Sequence, residues 1–179
     1  KNAERILAQM SQAYKDGNED CKPNVHSFNT VIKAWSRSSA NDAGKNAEAA
    51  LNDITKLHKQ GTIDFGPDTV TYNSVIDAYA NAGDAKNAER ILAQMSQAYK
   101  DGNKDCKPNV QSFTTVIKAW SRSSASDAGK NAETALNSMT KLHEQGTIDF
   151  RPNTVTYSSV MDAYANAGDA KNAERILAQ

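Results

Sequence analysis

The sequence predicts an all-α protein, an α-solenoid built from antiparallel helical hairpins. Residues 1–85 recur as residues 86–170 with identity at 73 of 85 positions, and self-similarity at such a period is typical of repeat architectures. Apolar residues follow the 3.6-residue helical period in four segments of each copy. A proline precedes an Asn or Asp at four equivalent junctions, which are Pro23, Pro67, Pro108 and Pro152. No segment shows the alternation expected of a strand.

The four helical segments of the first copy follow one another along the chain. Residues 27–38 place Phe28, Val31, Ile32 and Trp35 on one face, which predicts a buried apolar stripe. The other three segments, with similar spacing, are residues 42 to about 58, 71–81 and 84 to about 100. The predicted N-caps are Ser27, Asp42, Thr71 and Asp84, and the predicted stop signals are Gly61, Gly83 and Gly102.

The proline junctions divide each copy into two related helix pairs. The predicted units are a partial repeat at 1–24, repeats at 25–68, 69–109 and 110–153, and a second partial repeat at 154–179. Polar insertions such as residues 36–44 are expected to form loops on the outer side of the solenoid. The chain begins and ends at the same phase of the repeat, so we expect a fragment of a longer array whose terminal helices associate end to end.

Composition narrows the possible functions. The chain carries 21 acidic and 21 basic residues and no net charge, which does not favour a strongly cationic nucleic-acid binder. The sequence has no run of 18 apolar residues and no metal-ligand motif, so we expect no membrane span, metal or cofactor. Cys21 and Cys106 are expected to be free thiols in loops. No motif organises a nucleophile with a base, so we expect no enzymatic activity.

The opening phrase of each hairpin carries a family resemblance. The phrases are VHSFNTVIKAW from Val25, TVTYNSVIDAYANAG from Thr69, VQSFTTVIKAW from Val110 and TVTYSSVMDAYANAG from Thr154, preceded by KPN, GPD, KPN and RPN. This pattern resembles the pentatricopeptide repeats, in a variant with long repeats. The resemblance implies a right-handed solenoid of about four repeats that binds single-stranded RNA along its first helices, one base per repeat.

In this family the fifth and last residues of a repeat are the main determinants of base choice. The resemblance therefore implies the pairs Asn29 with Asp68, Asn73 with Asn109 and Thr114 with Asn153, together with Asn24 and Ser158 from the partial repeats. The three pairs imply uracil, cytosine and adenine, which predicts 5′-UCA-3′ followed by a purine at Ser158. Three of these positions differ between the two copies (29 and 114, 68 and 153, 73 and 158), which favours recognition over a bare scaffold.

The resemblance also implies supporting contacts to RNA. The second residue of each repeat is expected to clamp the base, and these residues are His26, Val70, Gln111 and Val155. Weak phosphate contacts are expected from Lys33, Arg37, Lys118 and Arg122, although Asp77 and Asp162 occupy the corresponding places of the alternate repeats. The alternative function is a protein–protein interaction scaffold that holds a peptide in the concave groove. A mitochondrial or chloroplast location follows from the family alone.

Overall fold

The computed structural model describes residues 2–178, and the fold class is confirmed. Within these residues the chain forms nine α-helices and two 3-10 turns, Glu19–Cys21 and Lys104–Cys106, and no strand. The helices are α1 Asn2–Lys15, α2 Val25–Ser36, α3 Ala43–Lys59, α4 Thr69–Asn81, α5 Ala85–Lys100, α6 Val110–Ser121, α7 Ala128–Glu144, α8 Thr154–Asn166 and α9 Ala170–Leu177.

The helices form two layers. The helices α2, α4, α6 and α8 each contact the next member of that series, and they form the inner layer. The helices α3, α5 and α7 each pack between two successive inner helices, and within residues 2–178 they make no close contact with one another. Because the inner helices lie closer together than the outer ones, the stack curves, and the surface of α2, α4, α6 and α8 is its concave face.

Two of the predicted N-caps are wrong. The helix α2 begins two residues before Ser27 with Asn24 as its N-cap, and α4 begins two residues before Thr71 with Asp68 as its N-cap. In both helices the cap side chain accepts from the N3 backbone N–H, and the N3 hydroxyl accepts from the cap backbone N–H. Ser27 and Thr71 are therefore the N3 residues of capping boxes, because their hydroxyls satisfy the one donor that the cap side chain cannot reach.

The other two predicted N-caps and the three glycine stop signals are confirmed, whereas α2 ends at Ser36, two residues before the predicted end. Asp42 and Asp84 are N-caps, although only Asp84 accepts a hydrogen bond through its side chain, from the N–H of Asn87 at 3.0 Å. The three glycine stop signals, Gly61, Gly83 and Gly102, all have positive φ angles. At Gly83 the following N–H of Asp84 donates to Tyr79 O at 2.9 Å, which closes the end of α4 and reverses the chain.

A repeated contact sets the register between layers. A glutamate on each outer helix accepts from the aromatic side chain 31 residues later on the next inner helix, and the pairs are Glu4–Trp35, Glu48–Tyr79, Glu89–Trp120 and Glu133–Tyr164. The rings of these tyrosines and tryptophans pack in the core, where Trp120 is buried and Trp35 is half-buried against α1. The contact recurs at all four junctions, so the fold presents the inner helices at a regular step.

The cysteines lie in the two 3-10 turns and are free. Cys106 is fully buried, and burial raises the pKa of its thiol to about 11. Cys21 is half-buried. Burial keeps the Cys106 thiol protonated at neutral pH, so it acts as a packing residue.

Candidate nucleic-acid interface

A groove runs along the concave face between the inner helices. Its volume is about 710 Å³, and its lining includes Lys33, Arg37, Val70, Asn73, Asn109 and Gln111. Ser38 and Ser39 of the α2–α3 loop also line it. The expectation that this loop lies wholly on the outer side is therefore wrong, because the loop leaves α2 at the end that faces α4.

Each last residue of a predicted repeat is the N-cap of the next inner helix. Asn24, Asp68, Asn109 and Asn153 precede α2, α4, α6 and α8, and each accepts from the N3 backbone N–H through its side chain. The cap uses one terminal atom of the side chain and leaves the second terminal atom turned away from the helix. The four residues therefore have a common, locally fixed orientation at the start of each inner helix.

We call the three predicted pairs Asn29–Asp68, Asn73–Asn109 and Thr114–Asn153 the recognition pairs. In the first pair, Asn29 Nδ2 donates to Asp68 Oδ1 at 3.2 Å and lies 3.4 Å from Oδ2. Asn29 Oδ1 accepts from the hydroxyl of Thr71 at 2.6 Å. Asn29 is only 8% exposed, so its amide is held within the protein and Asp68 is the more accessible member.

The second recognition pair has the same geometry. Asn73 Nδ2 donates to Asn109 Oδ1 at 3.3 Å, and Asn73 Oδ1 accepts from the hydroxyl of Ser112 at 2.7 Å. Asn109 Oδ1 also accepts from the N–H of Ser112 at 3.1 Å. Two residues that lie 36 positions apart in the chain are thus joined side by side at the groove.

The third recognition pair is not joined. The hydroxyl of Thr114 donates to Val110 O one turn earlier, at 2.8 Å. Asn153 Oδ1 accepts from the N–H of Thr156 at 3.1 Å, and the hydroxyl of Thr156 donates to Asn153 O at 2.6 Å. Within residues 2–178 no hydrogen bond joins Thr114 to Asn153, because the short side chain of Thr114 hydrogen-bonds to the backbone of its own helix.

The pairs differ in the polar atom that they leave available. Asp68 Oδ1 accepts from the N–H of Thr71 and from Asn29 Nδ2 and lies 2.8 Å from the Thr71 hydroxyl, whereas Oδ2 has only the long contact with Asn29. Asn109 and Asn153 each use Oδ1 for the cap, and their Nδ2 atoms donate to none of the described residues. The first pair therefore presents an acceptor, and the second and third present a donor.

The two residues of the partial repeats lie near the ends of the groove. Asn24 is exposed, and its Oδ1 accepts from the N–H of Ser27 at 3.0 Å. Ser158 is half-buried and lies beside Asn153 and Leu177 at the last inner helix. Neither has a second member of a pair within residues 2–178.

The predicted clamp residues are exposed. Val70 is 55% exposed and Val155 47%, and His26 and Gln111 are exposed as well. Val70 and Gln111 line the groove on either side of Asn73 and Asn109. An apolar side chain left in solvent next to polar recognition atoms is suited to cover the flat face of a base.

The inner helices carry alternating charge. Lys33, Arg37, Lys118 and Arg122 are exposed on α2 and α6, and they form no ion pair with any residue between 2 and 178. Asp77 lies between these cations on α4, where burial raises the pKa of its carboxyl. The unpaired cations can meet phosphates, and the intervening Asp77 limits the attraction to alternate repeats.

The sequence did not identify Thr71 and Ser112 as members of the site. Both are buried, and both join a fifth residue to a last residue through the hydroxyl. Their spacing of three residues after an Asp or Asn cap is the capping-box signature with a hydroxyl in place of Glu or Gln. That spacing predicts a cap, but the contact with Asn29 or Asn73 arises only when two inner helices pack together.

Residues 2–178 bear on two other kinds of site, metal centres and membrane spans. No three side chains of the metal-ligating types come together among residues 2–178. None of the helices in that range has both the length and the apolar character that crossing a bilayer requires.

Comparisons with known proteins agree on one family. The PPR repeat family model matches residues 67–122, and the pentatricopeptide repeat domain model matches residues 141–179, so the two matches together span more than half of the chain. A comparison with curated protein sequences finds no match.

Solved structures show the same architecture. The crystal structure of the pentatricopeptide repeat protein PPR10 from maize matches 98% of this chain with 27% sequence identity and a TM-score of 0.59. The crystal structure of PPR10 in complex with an 18-nt psaJ RNA element matches 93% of it with 22% identity and a TM-score of 0.57, a likeness of fold. In each case the chain spans about a fifth (21%) of the solved chain.

Both kinds of comparison point to helical repeat proteins, and the prediction of a non-enzymatic chain is in keeping with them. The phrases that open α2, α4, α6 and α8 are the features that carried the family resemblance, and α4, α6 and α8 lie within the matched segments. The chain belongs to the pentatricopeptide repeat family.

Proposed function

We propose that this chain binds single-stranded RNA in the groove along α2, α4 and α6, one base per repeat, with the preferred order 5′-UCA-3′. The observation that carries the proposal is the difference between the recognition pairs. Asp68 Oδ2 offers an acceptor, whereas Asn109 and Asn153 offer Nδ2 donors from the same cap position. The PPR10 protein, whose structure this chain resembles, has been crystallised with an RNA element.

The polarity of these atoms matches the base edges. Uracil carries a donor at N3, which Asp68 Oδ2 can accept. Cytosine carries an acceptor at N3 and adenine an acceptor at N1, so both match an Nδ2 donor. Asn73 beside Asn109 and Thr114 beside Asn153 then distinguish cytosine from adenine, because the larger Asn side chain leaves less room than Thr. A purine is expected next at Ser158.

The exposed side chains supply the remaining contacts. Val70 and Val155 cover base faces, and His26 and Gln111 take the same place in the alternate repeats. Lys33, Arg37, Lys118 and Arg122 meet phosphates. With few cations on the inner helices and no net charge on the chain, binding is weak and salt-dependent, since each phosphate contact on a single strand contributes a slope of roughly 0.7.

A filter-binding titration tests the proposal. RNA that carries UCA, RNA of scrambled sequence and single-stranded DNA that carries TCA are titrated at low and at moderate salt. Preferential retention of the UCA RNA at both salt concentrations is expected. Equal retention of all three that disappears as salt rises contradicts base recognition, and retention of none of them favours the alternative of a peptide-binding scaffold.

We also propose that the terminal faces associate between molecules. Ile6 is 54% exposed and Leu177 74% exposed, whereas the residues at the same phase inside the array, Ile91 and Leu92, are buried. The expected terminal face does not include Ile176, which is buried because α9 packs it against α8. Light scattering at increasing concentration should show a rising mean mass for wild type. The rise should be smaller for Leu177→Glu. A monomer at every concentration contradicts the association.

The mitochondrial or chloroplast location is a proposal that rests on family membership. Imaging of the parent protein fused to a fluorescent protein tests it. A diffuse cytosolic signal contradicts the location without bearing on RNA binding.

A further inference from the structure

We propose that the hydroxyl on the third residue of the following inner helix is a positioning group for base choice, supplied by Thr71 to the first recognition pair and by Ser112 to the second. The inference rests on the proposed function and deepens it. Base choice then depends on three residues per repeat, and the third of them belongs to the next repeat in the chain.

The contacts of Thr71 place it between both members of the first pair. Its Oγ1 lies 2.6 Å from Asn29 Oδ1 and 2.8 Å from Asp68 Oδ1, and it accepts from the N–H of Asp68 at 3.1 Å. Thr71 is fully buried, so no water competes for these contacts. The hydroxyl has one hydrogen, and the shorter of the two contacts assigns it to Asn29, which lies 42 residues earlier in the chain.

This donation determines how the Asn29 amide is turned. A primary amide can be rotated to exchange its oxygen and nitrogen, and the exchange reverses donor and acceptor. With the hydroxyl donating to Oδ1, the Nδ2 of Asn29 faces Asp68 and occupies Oδ1 of that carboxylate. Asp68 Oδ2 is then the atom left for the base. Ser112 holds Asn73 against Asn109 in the same way.

In the third pair the N3 residue is also a threonine, Thr156, but it does not position the fifth residue. Thr156 occupies the same N3 position and is equally buried, but its hydroxyl donates to Asn153 O and not to Thr114. It still accepts the cap N–H, that of Asn153, at 2.7 Å. Thr71 and Thr156 therefore share the capping contact and differ in where the hydroxyl donates, to the fifth residue for Thr71 and to the cap backbone for Thr156, so Thr156 is a matched control.

The test compares Thr71→Val, Thr71→Ser and Thr156→Val with wild type. Both valine variants lose the same capping contact, so their unfolding midpoints should fall by similar amounts. The measurement is the ratio of dissociation constants for RNAs with cytosine or uracil at the first base, and with cytosine or adenine at the third base. Thr71→Val should lower the preference for uracil roughly three- to tenfold, the equivalent of one ordinary hydrogen bond. Thr71→Ser should restore it, and Thr156→Val should leave the third-base preference unchanged.

The outcomes that contradict the positioning role differ from those that contradict the proposed function. A Thr71→Val protein that keeps the wild-type preference for uracil overturns the positioning role, as does an equal loss at the third base in Thr156→Val. A wild-type protein without base preference contradicts the proposed function instead. In that case NMR hydrogen exchange of the Asn29 side-chain amide tests the positioning role. The amide hydrogens should exchange slowly in wild type and in Thr156→Val and fast in Thr71→Val. Ser112→Ala provides the same test at the second base if Thr71→Val does not fold.

Discussion

The first and third recognition pairs occupy the same place in the two copies and differ in how they are held. Asn29 is joined to Asp68 and to Thr71, whereas Thr114 bonds back to its own helix and leaves Asn153 alone. The frame around them, formed by the triads Glu48–Tyr79–Arg90 and Glu133–Tyr164–Arg175, is shared in its tyrosine contact and in the arginine Nη2 contact. Arg90 also donates from Nη1 to Glu48 Oε1 at 2.9 Å. A constant frame with a variable pair is an arrangement in which base choice can change without loss of the fold.

The largest expected effect concerns the frame. A Cβ at Gly44 would lie 2.3 Å from Cδ1 of Tyr79, whose ring is buried and whose hydroxyl is held by Glu48. Gly44→Ala should therefore cost about 3 kcal/mol of unfolding free energy through overpacking. Gly129→Ala meets Tyr164 at the same distance and should cost the same in urea unfolding. Clearly unequal losses would show that the two frames differ.

The next effect concerns the first pair. Asp68→Asn replaces the available acceptor by an Nδ2 donor and should move the first-base preference from uracil to cytosine by about 2 kcal/mol. Competition binding with RNAs that differ only at that base measures the change. Asp84→Asn, at the cap of the outer helix α5, is the control and should leave base preference intact. An unchanged preference in a folded Asp68→Asn protein contradicts the role of Asp68.

A smaller effect should follow from closing the third pair. Thr114→Asn gives this position the side chain that Asn29 and Asn73 have, within reach of Asn153 and of the hydroxyl of Thr156. The third-base preference should move from adenine to cytosine by about 1.5 kcal/mol, measured by the same competition assay. Thr134→Asn, exposed on the outer helix α7, serves as the control. Retained adenine preference would mean that the fifth residue does not decide between these bases.

The smallest expected effect is a pH dependence of the unfolding free energy that the ion pairs of the frame contribute. The hydrogen bonds from Arg90 hold the pKa of Glu48 below its usual value of 4.5, and Arg175 does the same for Glu133. A lowered folded-state pKa means that the stabilisation is complete above pH 4.5 and is lost as the pH falls through the lower value. Glu48→Gln and Glu133→Gln should each remove about 1 kcal/mol at pH 7 and less at pH 3.

Unfolding free energies measured from pH 7 to pH 3 check this prediction, as the difference between wild type and each variant. The difference removes the opposite contribution of Asp77, whose pKa is raised by burial and whose protonation stabilises the fold. Curves that differ between Glu48→Gln and Glu133→Gln would again separate the two frames. Curves that do not depend on pH would contradict the role of the ion pairs.

The local features of the site were predictable from the sequence. Prolines followed by Asn or Asp located all four inner helices, and the family resemblance identified Asp68 and Asn109 before any contact was known. The error at Ser27 and Thr71 has a local cause. Asn, Asp, Ser and Thr are all good N-caps, so residue type alone does not decide which of two candidates three positions apart is the cap and which is N3.

The side of the loop at Ser38 and Ser39 was not predictable. Polar composition indicates an exposed loop, and a solenoid has two exposed surfaces. The loop lines the groove because α2 ends beside α4 on the concave side. Which surface a loop covers depends on the direction in which consecutive hairpins rotate, and no local pattern encodes that direction.

The sequence by itself determined the helices and the positions of the N-cap residues that we propose for base recognition, because periodicity, caps and turns act within a few residues. The tertiary structure decided which of those residues touch. Thr71 reaches Asn29 across 42 positions, and Thr156 at the same phase does not reach Thr114. That outcome depends on side-chain length at the contact between two packed helices, where one missing amide is enough to turn a hydroxyl back to its own backbone.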